Sequence, residues 1–206
     1  CLEGASGIGK SSAAEFMENE FGYARIPEVN ALFERPANEP ADWYFLMQVK
    51  RWKLAKRASQ SGIVAILDGD HLQPVWYNWI FSDLNVQPID DVLDFYARAF
   101  QTGALDFPDA YVLLHLGLDE LRSRKENDKT RTRKNFERHL RMIEPQRRYF
   151  DALQAGGHSG VSFLDATSAN LIADFCHDWH KVHTMSSVQK PKFDIVEAFI
   201  RSKIAS

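Results

Sequence analysis

The chain has 206 residues, enough for one well-cored domain, with a formal charge of −3 and a sequence pI near 6.2. That balance excludes a broad nucleic-acid-binding surface and a basic membrane-attracting face. No apolar run approaches the ~18 residues of a membrane helix, no signal-peptide pattern is present, and two cysteines, Cys1 and Cys176, make no disulfide framework, so the expectation is a protein of the reducing cytoplasm.

In chain order, the first informative segment is residues 4–11, Gly-Ala-Ser-Gly-Ile-Gly-Lys-Ser, a G-x-x-x-x-G-K-[ST] phosphate-binding loop. Its glycines let the backbone turn tightly and aim N–H groups at phosphate oxygens. Gly4, Ala5, Ser6, Gly7, Ile8, Gly9, Lys10, Ser11 and Ser12 are therefore expected to cradle a nucleotide. Lys10 would reach the β/γ-phosphates and the Ser11 hydroxyl would bind Mg²⁺. A helix beginning near Ser11 adds its positive N-terminal dipole. Such a loop needs a strand before it, and Cys1-Leu2-Glu3 reads as the end of that strand, with upstream residues expected.

A strand is expected at Tyr23–Ile26, followed by a loop with Pro36 and Pro40 and a helix over 41–60, with Asp42 near its start and Gly62 beyond its end. Residues 63–68, Ile-Val-Ala-Ile-Leu-Asp, read as a parallel strand buried on both faces and ending in an acid. The pattern then predicts an amphipathic helix at 89–102, a buried strand at 110–116 and a short helix near 119–124. A long helix follows at about 134–154, which Pro145 should kink or interrupt. Val161–Leu164 is a last short strand and 168–183 a helix. His177, His180 and His183 on that helix lack the convergence of a metal site and read as surface or packing groups. Residues 184–206 read as a linker and one more amphipathic helix, Phe193–Ile204. The alternation makes an α/β fold, a P-loop three-layer α/β/α sandwich with a mostly parallel sheet. Ligands in such sheets bind beyond the carboxyl ends of the strands.

Phosphoryl transfer needs a Mg²⁺ holder and a group that takes a hydroxyl proton. Asp68 closes the 63–68 strand and is the expected catalytic and metal-holding acid; Asp70 and His71 follow in the same turn and could line the acceptor site. Glu28, after the second strand, is suited to general-base work or to anchoring a hydroxyl. Arg122, Arg124, Arg131 and Arg133 fall in a basic run, 122–133, that reads as a lid. Arg124 and Arg131 are taken as catalytic, and Arg122 and Arg133 as phosphate-binding. Trp43, Tyr44, Phe45, Trp52, Trp76 and Tyr77 read as core by default, and the apolar side of a planar-substrate pocket would use one or two of them.

These features, in this order, resemble the nucleoside and nucleotide kinases of the deoxynucleoside kinase and thymidylate kinase group. The resemblance is carried by Leu2-Glu3-Gly4, Ile26-Pro27-Glu28-Val29, Trp43-Tyr-Phe-Leu-Met-Gln48, Pro108-Asp109, Leu118–Arg122 and Val161-Ser-Phe-Leu-Asp165-Ala166, over roughly residues 1–182. It implies that Glu28 contacts the acceptor hydroxyl, that Gln48 reads a nucleobase, and that the Asp165-Ala166 turn lies beside the ATP base. It also implies a possible homodimer. The chain departs from that group at Asp68-Gly69-Asp70-His71, where the group carries an arginine after the acid, and has Pro74 near the place of a base-reading acid. The Asp-Gly-Asp-x-Leu-x-Pro wording is similar to small-molecule kinases such as gluconate kinase. The expectation is a kinase domain over 1–183 using ATP and Mg²⁺. Its acceptor would be the hydroxyl, or the phosphate, of a nucleoside- or nucleotide-like molecule, with an antibiotic or sugar alcohol as a second class and a non-kinase nucleotide switch as a third reading.

Overall fold

The computed structural model describes residues 1–84, 86–128, 135–183 and 188–204. Its elements run β1 (Leu2–Glu3), α1 (Lys10–Phe21), β2 (Ala24–Ile26), α2 (Val29–Leu32), α3 (Trp43–Gln60), β3 (Ala65–Leu67), α4 (Gln73–Ile80), a short 3₁₀ turn (Ser82–Leu84) and α5 (Ile89–Gln101). They continue with β4 (Tyr111–His115), α6 (Leu118–Asn127), α7 (Phe136–Leu140), α8 (Ile143–Ala155), β5 (Val161–Asp165), α9 (Ala169–Val182) and α10 (Phe193–Ile204).

Every strand pairing among the described residues is parallel. β1, β4 and β5 form one ladder and β2 and β3 another, and a single bridge, Leu2 to Asp68, joins them in the order β2-β3-β1-β4-β5. Below that bridge, an apolar cavity of about 260 Å³ separates β3 from β4, walled by Ala65, Ile66, Ala110 and Val112.

Side-chain alternation along β4 sets the layers. Tyr111 and Leu113 point into a core shared with α4, α5, α8 and α10, while Val112 and Leu114 point into a second core under α1 and α9. A strand covered on both faces has no polar side to show, which is why its sequence is a continuous apolar run. On the second face, Tyr23 Oη hydrogen-bonds His177 Nδ1 at 2.8 Å and the His177 ring stacks on Phe21, so this histidine fastens α9 to α1.

The expected long helix is two. α7 ends at Leu140 and α8 begins at Ile143, with Pro145 in its first turn, where a missing N–H costs nothing. α4 was not foreseen. Its Pro74 also sits in a first turn, and Val75 and Trp76 are buried. α10 docks on α8, α5 and α4 through Phe193, Val196 and Ile200. Because Ile200 is fully buried, Ile200→Ala should lower the unfolding free energy by about 2–5 kcal/mol in urea titration. A loss below about 0.5 kcal/mol would mean that α10 contributes no core.

Candidate active site

At the carboxyl ends of β1 and β3 lies a cleft of about 250 Å³, walled at one end by the phosphate-binding loop. Gly4 has φ 139°, and a Cβ there would stand 2.6 Å from the Leu114 carbonyl oxygen, so no other residue fits this turn. Gly7 (φ 88°) turns the loop onward and Gly9 (φ 111°) precedes the first residue of α1, leaving the N-terminal amides of that helix at the cleft. The Lys10 ammonium donates to the Gly4 and Ala5 carbonyls at 2.6 and 3.3 Å. Ser6, Ser11 and Ser12 complete this wall.

Glu3, which the sequence reading named only within Leu2-Glu3-Gly4 and gave no role, ties the loop to the neighbouring strand end. Its buried carboxylate accepts the Gly4 N–H on one oxygen and the Asp70 N–H on the other, both at 2.8 Å. The signal for it was a lone acid at the end of an otherwise apolar strand.

The opposite wall comes from α3, α4 and the segment around α7: Tyr44, Gln48, Gln73, Trp76, Tyr77, His139 and Met142. Glu28, just after β2, stands between the two walls. Its pKa is raised, first by the protein crowded around it and then by Asp68 and Glu3, with Lys10 and Arg51 opposing. The residue is exposed toward the cleft, so water there offsets part of this rise. Tyr44 is pushed up to about 12, chiefly by burial, and its hydroxyl donates to Gln73 Oε1 at 3.0 Å.

Arg51 is the second unforeseen residue. It is buried beneath the cleft, and its guanidinium donates to the carbonyls of Pro27 (2.7 Å), Asp68 (3.0 Å) and Gly69 (2.9 Å) and to Gln48 Oε1 (2.7 Å). It thereby clamps the ends of β2 and β3 together. The turn 68–71 has no arginine of its own, and Gly69 has φ 84°, where a side chain is strained. A guanidinium reaches this turn from α3 instead. Burial lowers its pKa, with Tyr44, Glu28, Asp70 and Asp68 opposing, and a guanidinium so placed stays charged.

The remaining candidates separate into groups. Asp68 lies behind the cleft wall: its Oδ2 is 4.0 Å from Arg25 and its buried Oδ1 has no hydrogen-bond partner among the described residues. Asp70 borders the cleft, but its carboxylate is occupied by Leu72 N–H (3.0 Å), Tyr111 Oη (3.1 Å) and Trp76 Nε1 (3.3 Å). Burial pushes it up to about 7. His71 is not in the cleft. It is fully buried, stacks on Trp52 at 4.7 Å, contacts the Asp106 carbonyl, and is held neutral by burial, which brings its pKa down to about 3. Phe45 is also in the core, against Phe95 and Tyr96, because one helical step from Tyr44 turns a side chain by about 100°.

Arg124, expected at the transferred phosphoryl group, instead spans the Ile8 carbonyl (3.1 Å) and the Thr167 carbonyl (2.9 Å), with Glu120 on its Nε. It bridges the phosphate loop and the 165–168 turn from outside the cleft. Arg122 lies at the surface within 4 Å of Asp119 and Glu137. Asp165 is exposed and pairs with His115 at 2.8 Å, while Ala166 is buried next to it. Arg131 and Arg133, with the middle of the expected lid, lie outside the described residues.

Mg²⁺ takes oxygen ligands, retains several waters and shares its shell with substrate phosphates, so one hydroxyl and one acid suffice. Ser11 lines the cleft and fits the hydroxyl role, whereas Asp68, behind the wall with its buried Oδ1 unpartnered among the described residues, would reach the ion only through water. Among the described residues no three His, Cys, Asp or Glu side chains gather into a metal cluster, and no helix is long and apolar enough to cross a membrane.

No family model and no curated protein matches the chain. Solved structures do. A thymidylate kinase from Candida albicans superposes with a TM-score of 0.59 at 14% identity, over 92% of this chain and 96% of its own. A deoxyadenosine kinase from M. mycoides with bound dATP gives 0.57 at 16% identity, over 87% and 97%. The same enzyme with bound dCTP gives 0.56 at 16%, over 89% and 98%. From the phosphate loop at one end of the cleft to the parallel five-strand order beneath it, the chain therefore has the fold of the P-loop nucleoside and nucleotide kinases.

Proposed function

We propose that the chain is a kinase that transfers the γ-phosphoryl group of ATP to a hydroxyl, or to the phosphate, of a nucleoside- or nucleotide-like acceptor. The observation that carries this reading is one continuous cleft with a phosphate cradle at one end, a polar-aromatic wall at the other and Glu28 between them. A nucleotide switch needs the first wall only. The likeness to deoxyadenosine and thymidylate kinases supports the same choice.

In this scheme the loop amides and Lys10 hold the donor phosphates, and the Lys10 charge offsets negative charge on the γ-phosphoryl oxygens in the transition state. Mg²⁺, held by Ser11 and, through water, by Asp68 behind the wall, would supply further charge neutralisation on the phosphate oxygens. Glu28 takes the proton from the acceptor hydroxyl. Arg124, anchored on Ile8 and Thr167, walls the donor nucleotide, and Asp165-Ala166 sits on the same side. The kinase domain spans 1–183, and a cytoplasmic location suits its cysteine use.

The test is a Mg-ATP transfer screen with nucleosides, nucleoside monophosphates, sugars and hydroxylated antibiotics, products identified by mass. Acceptor-dependent phosphorylation of a nucleoside or its monophosphate is expected. A product only from other alcohols would move the acceptor class, and ATP binding without any product would favour the switch. Within the same assay, Asp68→Asn should cut kcat by about 10²-fold or more while ATP affinity changes little. A change in thermal stability alone would make Asp68 structural.

A further inference from the structure

Among the groups of the acceptor wall, Gln48 is unusual in having its amide orientation forced. Gln48 and Arg51 are each 1% exposed, and the Arg51 Nη1 approaches Gln48 Oε1 at 2.7 Å. A guanidinium only donates. The amide must therefore face it with its oxygen, because the flipped amide would set two buried donors against each other. Arg51 cannot turn away to permit the flip, since its other nitrogens are bonded to Ile26, Pro27, Asp68 and Gly69 carbonyls. Gln48 Nε2 makes no hydrogen bond among the described residues and belongs to a side chain that lines the cleft. Gln73, the second amide of the wall, is not fixed in this way, because its partner, the Tyr44 hydroxyl, both donates and accepts. Trp76 Nε1 is spent on Asp70. An unconstrained glutamine reads a ring as donor or acceptor by rotating its amide; Gln48 presents donors only.

We infer that Arg51 is a positioning residue that fixes Gln48 as a donor, so that the acceptor pocket selects bases with a ring carbonyl at the edge facing α3 and rejects those with a ring amino group there. The inference rests on the nucleoside reading above and narrows it. A ring carbonyl receives the Gln48 N–H. An amino group in that place meets another donor, and both are left unpaired in a buried site, the kind of mismatch that discriminates most strongly.

The experiment compares kcat/KM for pairs that exchange the ring carbonyl for an amino group, and with it the adjacent ring N–H for a bare ring nitrogen, deoxyuridine against deoxycytidine and deoxyinosine against deoxyadenosine, as nucleosides and as monophosphates. Binding is followed in parallel by ligand-induced thermal shift. The wild-type protein should favour the carbonyl member at least tenfold in whichever ring size it accepts. Gln48→Glu keeps the Arg51 contact on one carboxylate oxygen and offers the other as an acceptor, so its preference should fall at least tenfold or invert, with the fold retained by circular dichroism. A ratio near one, or a wild-type preference for the amino member, overturns the inference and leaves the kinase reading standing. An unchanged ratio in the Glu variant also overturns it. Neither turnover nor thermal shift with any of these compounds removes the nucleoside reading, and the inference with it.

Discussion

Lys10→Ala should reduce kcat/KM for phosphoryl transfer by about 10³-fold, about 4 kcal/mol of transition-state stabilisation, while leaving a folded protein. The ammonium lies at the head of the loop, bonded to the Gly4 and Ala5 carbonyls and 3.9 Å from Glu3 Oε1, so it is already held within the turn that would wrap the phosphates. Charge on the γ-phosphoryl oxygens is met by few groups in this site, and removing a preorganised positive one costs more than removing a neutral donor. The loop fold itself depends on the positive-φ turns at Gly4, Gly7 and Gly9 and on the Glu3 bonds to the Gly4 and Asp70 N–H groups, which remain when the Lys10 contacts to Gly4 and Glu3 are lost. Thermal unfolding should move by only a few degrees. The readout is steady-state product formation with the best acceptor from the screen, with ATP affinity measured separately by fluorescence. Undiminished transfer would mean that the loop does not hold the reacting phosphates.

What the sequence disclosed follows from how local its signals were. The phosphate loop is a contiguous motif, β4 is a run buried on both faces, and the helix at Phe193–Ile204 shows its apolar stripe directly. α4 was hidden because Pro74 looks like a break, although a proline in a first turn continues a helix without loss. In the site, Gln48 was legible and its neighbours less so. The aromatic run 43–45 offers several rings, and only the helical phase decides that Tyr44 meets the cleft while Phe45 meets the core. His71 was drawn toward the site by its neighbour Asp68, yet the next residues turn into α4 and carry it under Trp52. Besides their near partners Gly4 and Gln48, Glu3 and Arg51 reach Asp70 and Asp68 far along the chain, and no local pattern encodes such a distant partner. The available clue was chemical: a charge in a segment otherwise suited to burial must have found company.

Glu28→Gln should lower kcat by about 10²- to 10⁴-fold with little change in the acceptor KM, because the amide keeps the shape and one hydrogen-bond acceptor but cannot take a proton. Glu28 rather than Asp68 is assigned this role on position: Glu28 lines the cleft between the two walls, whereas the Asp68 carboxylate lies behind it toward Arg25. The pH dependence gives an independent check. A general base works deprotonated, so activity rises with pH through its pKa, and the raised value of Glu28 places that acid limb above the 4.5 of an ordinary glutamate. The limb should vanish from the residual activity of the Gln variant. It should also move in a definite direction when Lys10 is removed. Lys10 is the largest influence holding the Glu28 pKa down, so the slow Lys10→Ala enzyme should show its acid limb at higher pH than the wild type. A Gln variant within threefold of wild type, or one that keeps the acid limb, would reduce Glu28 to a hydroxyl anchor and transfer the proton to another group.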